Sequence, residues 1–391
     1  MKWTSQLLFV LVTVASFSSD VLAETITFKK TVLDTKFRSE GVAIGDFNKD
    51  GKLDIAVSDV YYAAPDWKAV PINAQPREFE PIKYSNSFNC FADDLNGDGW
   101  TDLIVVDFPG KETVWLENPQ GSQRPWDRHI LTPVTNNESP QYKDVDGDGV
   151  RELILGFNTD AVNVDSAERR MGIAQRNKDP RQPWTVQAIS EPNVEGAKRF
   201  SHGLGVGDVD GDGRNDVIVP HGWWEAPRAG DTAPWLFHAA TFGPAAADMH
   251  AHDFDGDGDP DVISSAAHQL GIWWHERTPT GYKQHEISNL FSQTHSLCLA
   301  DINSDGLVDF VTGKRWWAHG PKGDVDPGAP AVLYWFELQR KQGKPVWIPH
   351  AIDDDSGVGT QFEVGDINGD KLIDIAIGNK KGVFYFEQER K

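Results

Sequence analysis

An all-β fold, closed into a ring of seven four-stranded units, is what the sequence predicts, and three observations predict it. A nine-residue acidic pattern recurs seven times, a short β-type apolar run follows each copy, and an aromatic run follows that in most copies. Glycine (36), tryptophan (15) and phenylalanine (20) are plentiful while methionine is scarce at three, a balance that suits turn-rich β structure and not a helical bundle. The 391 residues are enough for one large closed architecture.

The acidic pattern is D-x-[DN]-x-D-x-x-x-[DE]. Its copies are Asp46-Asn48-Asp50-Asp54, Asp94-Asn96-Asp98-Asp102, Asp144-Asp146-Asp148-Glu152 and Asp208-Asp210-Asp212-Asp216, then Asp253-Asp255-Asp257-Asp261, Asp301-Asn303-Asp305-Asp309 and Asp366-Asn368-Asp370-Asp374. Oxygens at positions 1, 3 and 5 converge only if the backbone wraps a hard cation, and a glycine at position 6 permits the turn. Six copies have that glycine; the seventh has Lys371. Strand-like residues follow each loop (Ile55-Ala56-Val57, Leu103 to Val106, Val217-Ile218-Val219) where an EF-hand would have a helix. These are therefore expected to be calcium loops within β-hairpins, up to seven ions in all.

Charge supports that expectation. The chain carries 37 Lys+Arg against 59 Asp+Glu, a formal charge of −22, which argues against a nucleic-acid partner. Ligand positions hold 24 of those acids, so the rest of the chain is nearly neutral.

Each repeat reads as four strands. Strand A precedes the loop, strand B follows it, strand C is aromatic (Thr113 to Leu116, Gly271 to Trp274, Val332 to Phe336), and strand D often carries histidine (His129, His238, His285, His350). Units of this kind close as a β-propeller. The chain stops after a C-type strand, Val383 to Phe386, while Ile26 to Leu33 resembles a strand D without a blade. The amino-terminal strand is expected to complete blade seven and lock the ring.

The stretches 45–54 and 207–216 resemble FG-GAP/VCBS repeats, the family of integrin-α-like seven-bladed propellers. That resemblance implies calcium between strands A and B and says little about activity. Trp115-Leu116-Glu117-Asn118-Pro119 with Trp126, His129 and Ile130 is similar to the propeller part of aldos-2-ulose dehydratases, which implies elimination chemistry on a keto sugar.

At the amino terminus, Met1-Lys2, the apolar run Leu7 to Phe17 and a small residue at Ala23 read as a signal peptide over 1–23, followed by one propeller domain over 24–391. A secreted or periplasmic location follows. No later stretch is apolar for long enough to span a bilayer. Cys90 and Cys298, three blades apart, are expected as free thiols.

The ligand site is expected on the face opposite the calcium loops. His202, His250 and His295 stand near the start of strand A in blades four to six, with Glu138, Asn89, Glu40 and Gln361 in similar places elsewhere. The B–C connections add His221, Trp223, Trp224, His268, Lys314, Arg315, Trp316, Trp317 and His319. Tryptophan faces suit stacking on sugar rings, and His, Glu and Arg suit acid–base chemistry. His250 or His202 is a candidate base and Lys314 or Arg315 a charge stabiliser for a lyase or dehydratase acting on a keto sugar or uronate. Alternatively, His202, His250, His295 and Glu138 hold Zn²⁺ or Mn²⁺. Gln361, His221, His268, His319 and the four tryptophans are the substrate-contact candidates. The other function the sequence allows is a glycan- or protein-binding propeller without chemistry.

Overall fold

The computed structural model of the protein describes residues 25–160, 168–228 and 234–391. The segment 1–23, expected as a signal peptide, lies outside these residues, as do 161–167 and 229–233.

The architecture is an all-β propeller. Among the described residues, twenty-eight strands form five four-stranded sheets and one eight-stranded sheet. The eight-stranded sheet is two antiparallel four-stranded units whose first strands, Leu204–Gly207 and Asp248–His252, meet in parallel through Leu204↔Asp248 and Gly205↔Met249. No room exists for a side chain at that seam, since a Cβ on Gly205 would lie 2.2 Å from the Met249 carbonyl oxygen. Elsewhere too the first strands of neighbouring units touch, and that of the last unit, Phe362–Gly365, meets that of the first, Ala43–Gly45, closing the circle.

The ring is locked as the sequence predicts. Ile26–Asp34 pairs antiparallel with the last strand, Gly382–Arg390, from Ile26↔Arg390 to Asp34↔Val383, and so becomes the outer strand of the final sheet. An outer edge of the carboxy-terminal hairpin is thereby covered by the other end of the chain.

Apolar packing lies between sheets. Val57, Tyr62, Val358, Ile377 and Phe384 form one cluster across the closure, and Phe254, Ile263, Phe310 and Phe336 another between the fifth and sixth units. The aromatic third strands also fix the fourth. Trp115, Trp223, Trp274 and Trp335 face His129, His238, His285 and His350 across the strand pair, with ring centroids 4.2–4.7 Å apart. Each of these histidines also meets the glutamate two residues beyond its tryptophan, at 2.6–2.9 Å. They are structural, as their repeated position predicts. Cys90 and Cys298 are free.

Candidate functional site

The acidic loops all fold alike. The carboxylate at position 1 accepts the backbone N–H of position 6, from Gly51 to Asp46 (2.9 Å) through to Lys371 to Asp366 (2.9 Å). Position 6 has φ between 80° and 98° in the six glycine copies and 73° at Lys371. Position 9 is a buried floor. Asp102, for example, accepts from Leu95 N–H (3.0 Å) and from Asn118 N–H (2.8 Å), tying the loop to the third strand. Burial pushes Asp102, Asp216 and Asp309 up to about 7 despite such bonds. One oxygen from each of Asp208, Asp210 and Asp216 lies within 4.8 Å of the others, as does one from each of Asp144, Asp146 and Glu152. These are hard oxygen donors, of the kind that suit calcium.

A second cluster forms at the other end of the sheets. Strands one and two of a unit are antiparallel, so residues preceding the first and following the second share the rim opposite the loop. Glu40, Glu138, His202 and His295 each stand six residues before a first loop aspartate, and Arg315 and Lys380 each six after a position-9 aspartate. Arg315, only 2% exposed, contacts Glu40 closely and reaches Glu138 at 3.4 Å. Glu138 in turn lies 3.3 Å from His202 Nε2. His202 packs edge-on against His268 (4.5 Å) and His295 (5.4 Å), and His268 and His295 are 5.1 Å apart. Lys380 Nζ is 3.9 Å from Glu40, stands over the Tyr84 ring and donates to the Trp317 carbonyl (3.0 Å).

Electrostatics keep this network in mixed charge states. Burial would raise Glu138, but His202 and Arg315 hold it down to about 2. Burial lowers Lys380 to about 8 against the pull of Glu40. His268 falls to about 4, chiefly through burial and then through His202. His295, 3% exposed, is pushed well below the usual imidazole range by burial and by Arg315. Its Nδ1 bonds the Gln293 carbonyl (3.2 Å), which fixes the tautomer and leaves Nε2 as a lone pair, and that buried Nε2 has no partner among the described residues.

Several candidates fall elsewhere. His250 does not join His202 and His295. It stands three residues before its loop, not six, where the equivalent residue is Ala247, and its Nε2 bonds the Leu297 carbonyl (2.8 Å) on the next unit. His268 takes its place. Lys314, one residue out of step with Arg315, is fully buried and braces Ser292 (2.9 Å) and the Asp326 carbonyl (2.8 Å). Trp223 and Trp224 are core residues of Gly222–Glu225, packed on His238 and Phe237 and almost wholly buried. His221 packs against Trp224 and Phe237. Gln361 is a latch whose Oε1 accepts from Val42 N–H (2.9 Å) and Cys90 N–H (3.3 Å).

Trp316 and Trp317 are half-buried, stack on each other at 5.5 Å, and border the cluster through Lys380. His319 reaches it through Asp324, which the sequence reading did not single out. The sequence sets Glu40 beside these residues without a role, and it does not single out Tyr84. The shared six-residue offset marks Glu40; nothing comparable marks Tyr84 or Asp324.

One ring nitrogen from each of His202, His268 and His295 lies within 4.8 Å of the others. With the orphaned Nε2 of His295 among them, these donors fit a borderline divalent ion. A separate cleft of about 620 Å³ between the first two units, floored by Phe47, Tyr61 and Trp126, holds none of this network.

A family model described as FG-GAP-like repeat matches residues 94–155 and 253–312, so the chain carries repeats of that type. No curated protein sequence matches it significantly. Similar solved structures include a lectin of Agrocybe aegerita described by its recognition of non-reducing terminal N-acetylglucosamine (16% identity, TM-score 0.43, covering 85% of this chain and 82% of that one). Others are the rhamnogalacturonan lyase YesW (13%, 0.42, 93% and 72%) and BBS1N in complex with ARL6DN (9%, 0.48, 91% and 96%). Likeness at this distance carries nothing about what this chain binds. Among the described residues no helix is long and apolar enough to cross a membrane.

Proposed function

We propose that the chain is an exported, calcium-stabilised propeller enzyme that acts on carbohydrate as a lyase or dehydratase, by β-elimination on a keto sugar or uronate. The observation that supports this is the single asymmetric cluster Glu40–Arg315–Glu138–His202–His268–His295. Among the described residues it occurs once, and it brings buried acids, imidazoles and cations into contact.

His202 is the base for the proton beside the carbonyl or carboxylate, and Glu138 stabilises the imidazolium that forms. Arg315 is a positioning residue, because both its carboxylate partners are protein groups. Lys380, titrating near 8, is charged at neutral pH and supplies a cation beside the site. Trp316 and Trp317 offer the partly open aromatic edge for a sugar ring. Alternatively, a divalent ion such as Zn²⁺ or Mn²⁺, held by His202, His268 and His295, would supply charge stabilisation for an enolate, and His202 would then be a ligand and not the base. Export follows from reading 1–23 as a signal peptide.

The test is ultraviolet absorbance of the purified protein mixed with keto sugars and uronate oligosaccharides, with calcium present. A new conjugated double bond is expected to form, and His202→Ala and Glu138→Gln to abolish it while leaving the melting temperature within a few degrees. Absence of signal across the panel, together with glycan binding that Trp316→Ala weakens, would replace this reading with the non-catalytic binding module.

A further inference from the structure

The loop after Arg315 returns over the cluster and adds donors that the inner three histidines do not use. Asp324 has a side chain only 4% exposed, yet among the described residues its ion-pair partners are two imidazoles and no permanent cation. His319 Nδ1 lies 3.1 Å and 3.0 Å from its two oxygens. His268 Nδ1 lies 3.1 Å from Oδ1, but the approach is off the hydrogen-bond axis, so this buried nitrogen has no hydrogen bond.

Two imidazoles and a carboxylate thus aim at common space, with one donor atom from each within 4.8 Å of the others. Bonds of about 2.1 Å at right angles put neighbouring donors about 3.0 Å apart, close to the nitrogen–oxygen separations here. The rings of His268 and His319 sit 4.6 Å apart, on the side from which solvent reaches His319, whose side chain is 38% exposed. Backbone packing holds this turn in place. A Cβ on Gly323 would lie 2.3 Å from that of His319, so the chain beside Asp324 closes over His319 only because residue 323 is glycine.

We propose that His268, His319 and Asp324 form a second divalent-metal site, at the rim opposite the acidic loops, sharing His268 with the inner set. Two imidazoles and one carboxylate on one face leave positions open for ligand oxygens and suit Mn²⁺, Fe²⁺, Co²⁺ or Zn²⁺ over calcium. When both positions fill, His268 bridges them as imidazolate and its remaining ring proton passes to solvent. The site does not depend on the elimination chemistry proposed above.

The test is Co²⁺ titration of the full chain, stripped of metals and then held in excess calcium so that the acidic loops are occupied, with equivalents counted by dialysis and metal analysis. Two equivalents are expected in the parent protein. Asp324→Asn and His319→Ala should each lose one and keep the other, His295→Ala should lose the other, and His268→Ala should lose both. His319 is partly exposed and Asp324→Asn is isosteric, so unchanged melting in calcium serves as the folding control. One equivalent, lost in Asp324→Asn and kept in His295→Ala, would uphold the outer site and remove the inner one. One equivalent that both variants abolish, or a stoichiometry that neither Asp324→Asn nor His319→Ala changes, would overturn the proposal.

Discussion

Calcium is expected to stabilise this protein strongly at neutral pH and progressively less as pH falls. Asp102, Asp216 and Asp309 are fully buried and titrate near 7 in the ion-free fold, against about 3.9 in an unfolded chain. In the ion-free protein these raised carboxyls contribute stability that is fully present below about pH 4 and lost as pH rises through 7. Bound calcium removes that loss by keeping them ionised, so each loop releases close to one proton on binding at pH 5–6. Affinity at each of the three loops should then fall about tenfold per pH unit below 7. Between pH 7 and 5, with half of each carboxyl already protonated at pH 7, this is about 2.3 kcal/mol per loop, or about 7 kcal/mol over three. With about 2.1 cal/mol/K of unfolding entropy per residue, the calcium-induced rise in melting temperature should shrink by about 9 °C over that range. His250 and His268, lowered to about 4 mainly by burial, have the opposite sign: their stability is present above about pH 6.5 and lost as pH falls towards 4. They stand at the rim and first strands, away from the loops, so they cancel in the difference between calcium-loaded and stripped samples. The assay is tryptophan fluorescence melting of both samples from pH 5 to 7.5. A calcium increment that does not change with pH would refute the coupling of the floor carboxyls to the ion.

Two further outcomes follow from single residues. Lys371 holds φ 73° where its six counterparts are glycine, so Lys371→Gly should raise stability by about 0.5–1 kcal/mol, read as a small upward shift of the denaturant midpoint at constant slope. Arg315→Met strips the main cation from two buried carboxylates and should cost about 3–5 kcal/mol. The double variant Arg315→Met with Glu40→Gln should recover part of that loss, and a single variant within about 1 kcal/mol of the parent would show the pair to be dispensable.

The fold was legible because its signal repeats. One acidic loop, read once, is indistinguishable from any polar turn; seven in phase with β-type and aromatic runs specify blades, and the unmatched terminal strands specify the closure. The D-strand histidines were legible for the same reason. The site was only half legible. Burial of Trp223 and Trp224 depends on which strand face meets the neighbouring blade, which composition does not disclose. Choosing His250 over His268 followed nearness to strand A instead of register. His250 stands three residues from its loop, and an odd displacement along a strand turns a side chain to the other face. Asp324 was hidden because an insertion has no repeat against which to align it.

The same register explains how a near-symmetric ring carries one asymmetric site. Loop positions 1, 3, 5 and 9 are committed to the loop's own bonds in each unit, and in four units the third-strand tryptophan is committed to its fourth-strand histidine. The position six before the loop is under no such demand. It holds Glu40, Phe88, Glu138, His202, Ala247, His295 and Thr360 around the ring, with chemistry that ranges from apolar to acidic to imidazole. The position six after the floor carboxyl varies as widely, from Val60 and Phe108 to Arg315 and Lys380. Both offsets open on the rim where the first strands converge, so substitutions there reach one another across blades without touching the scaffold. Arg315 of the sixth unit meeting Glu40 of the first and Glu138 of the third is the direct consequence. Stability resides in what the blades repeat, and chemistry collects at the offsets they do not.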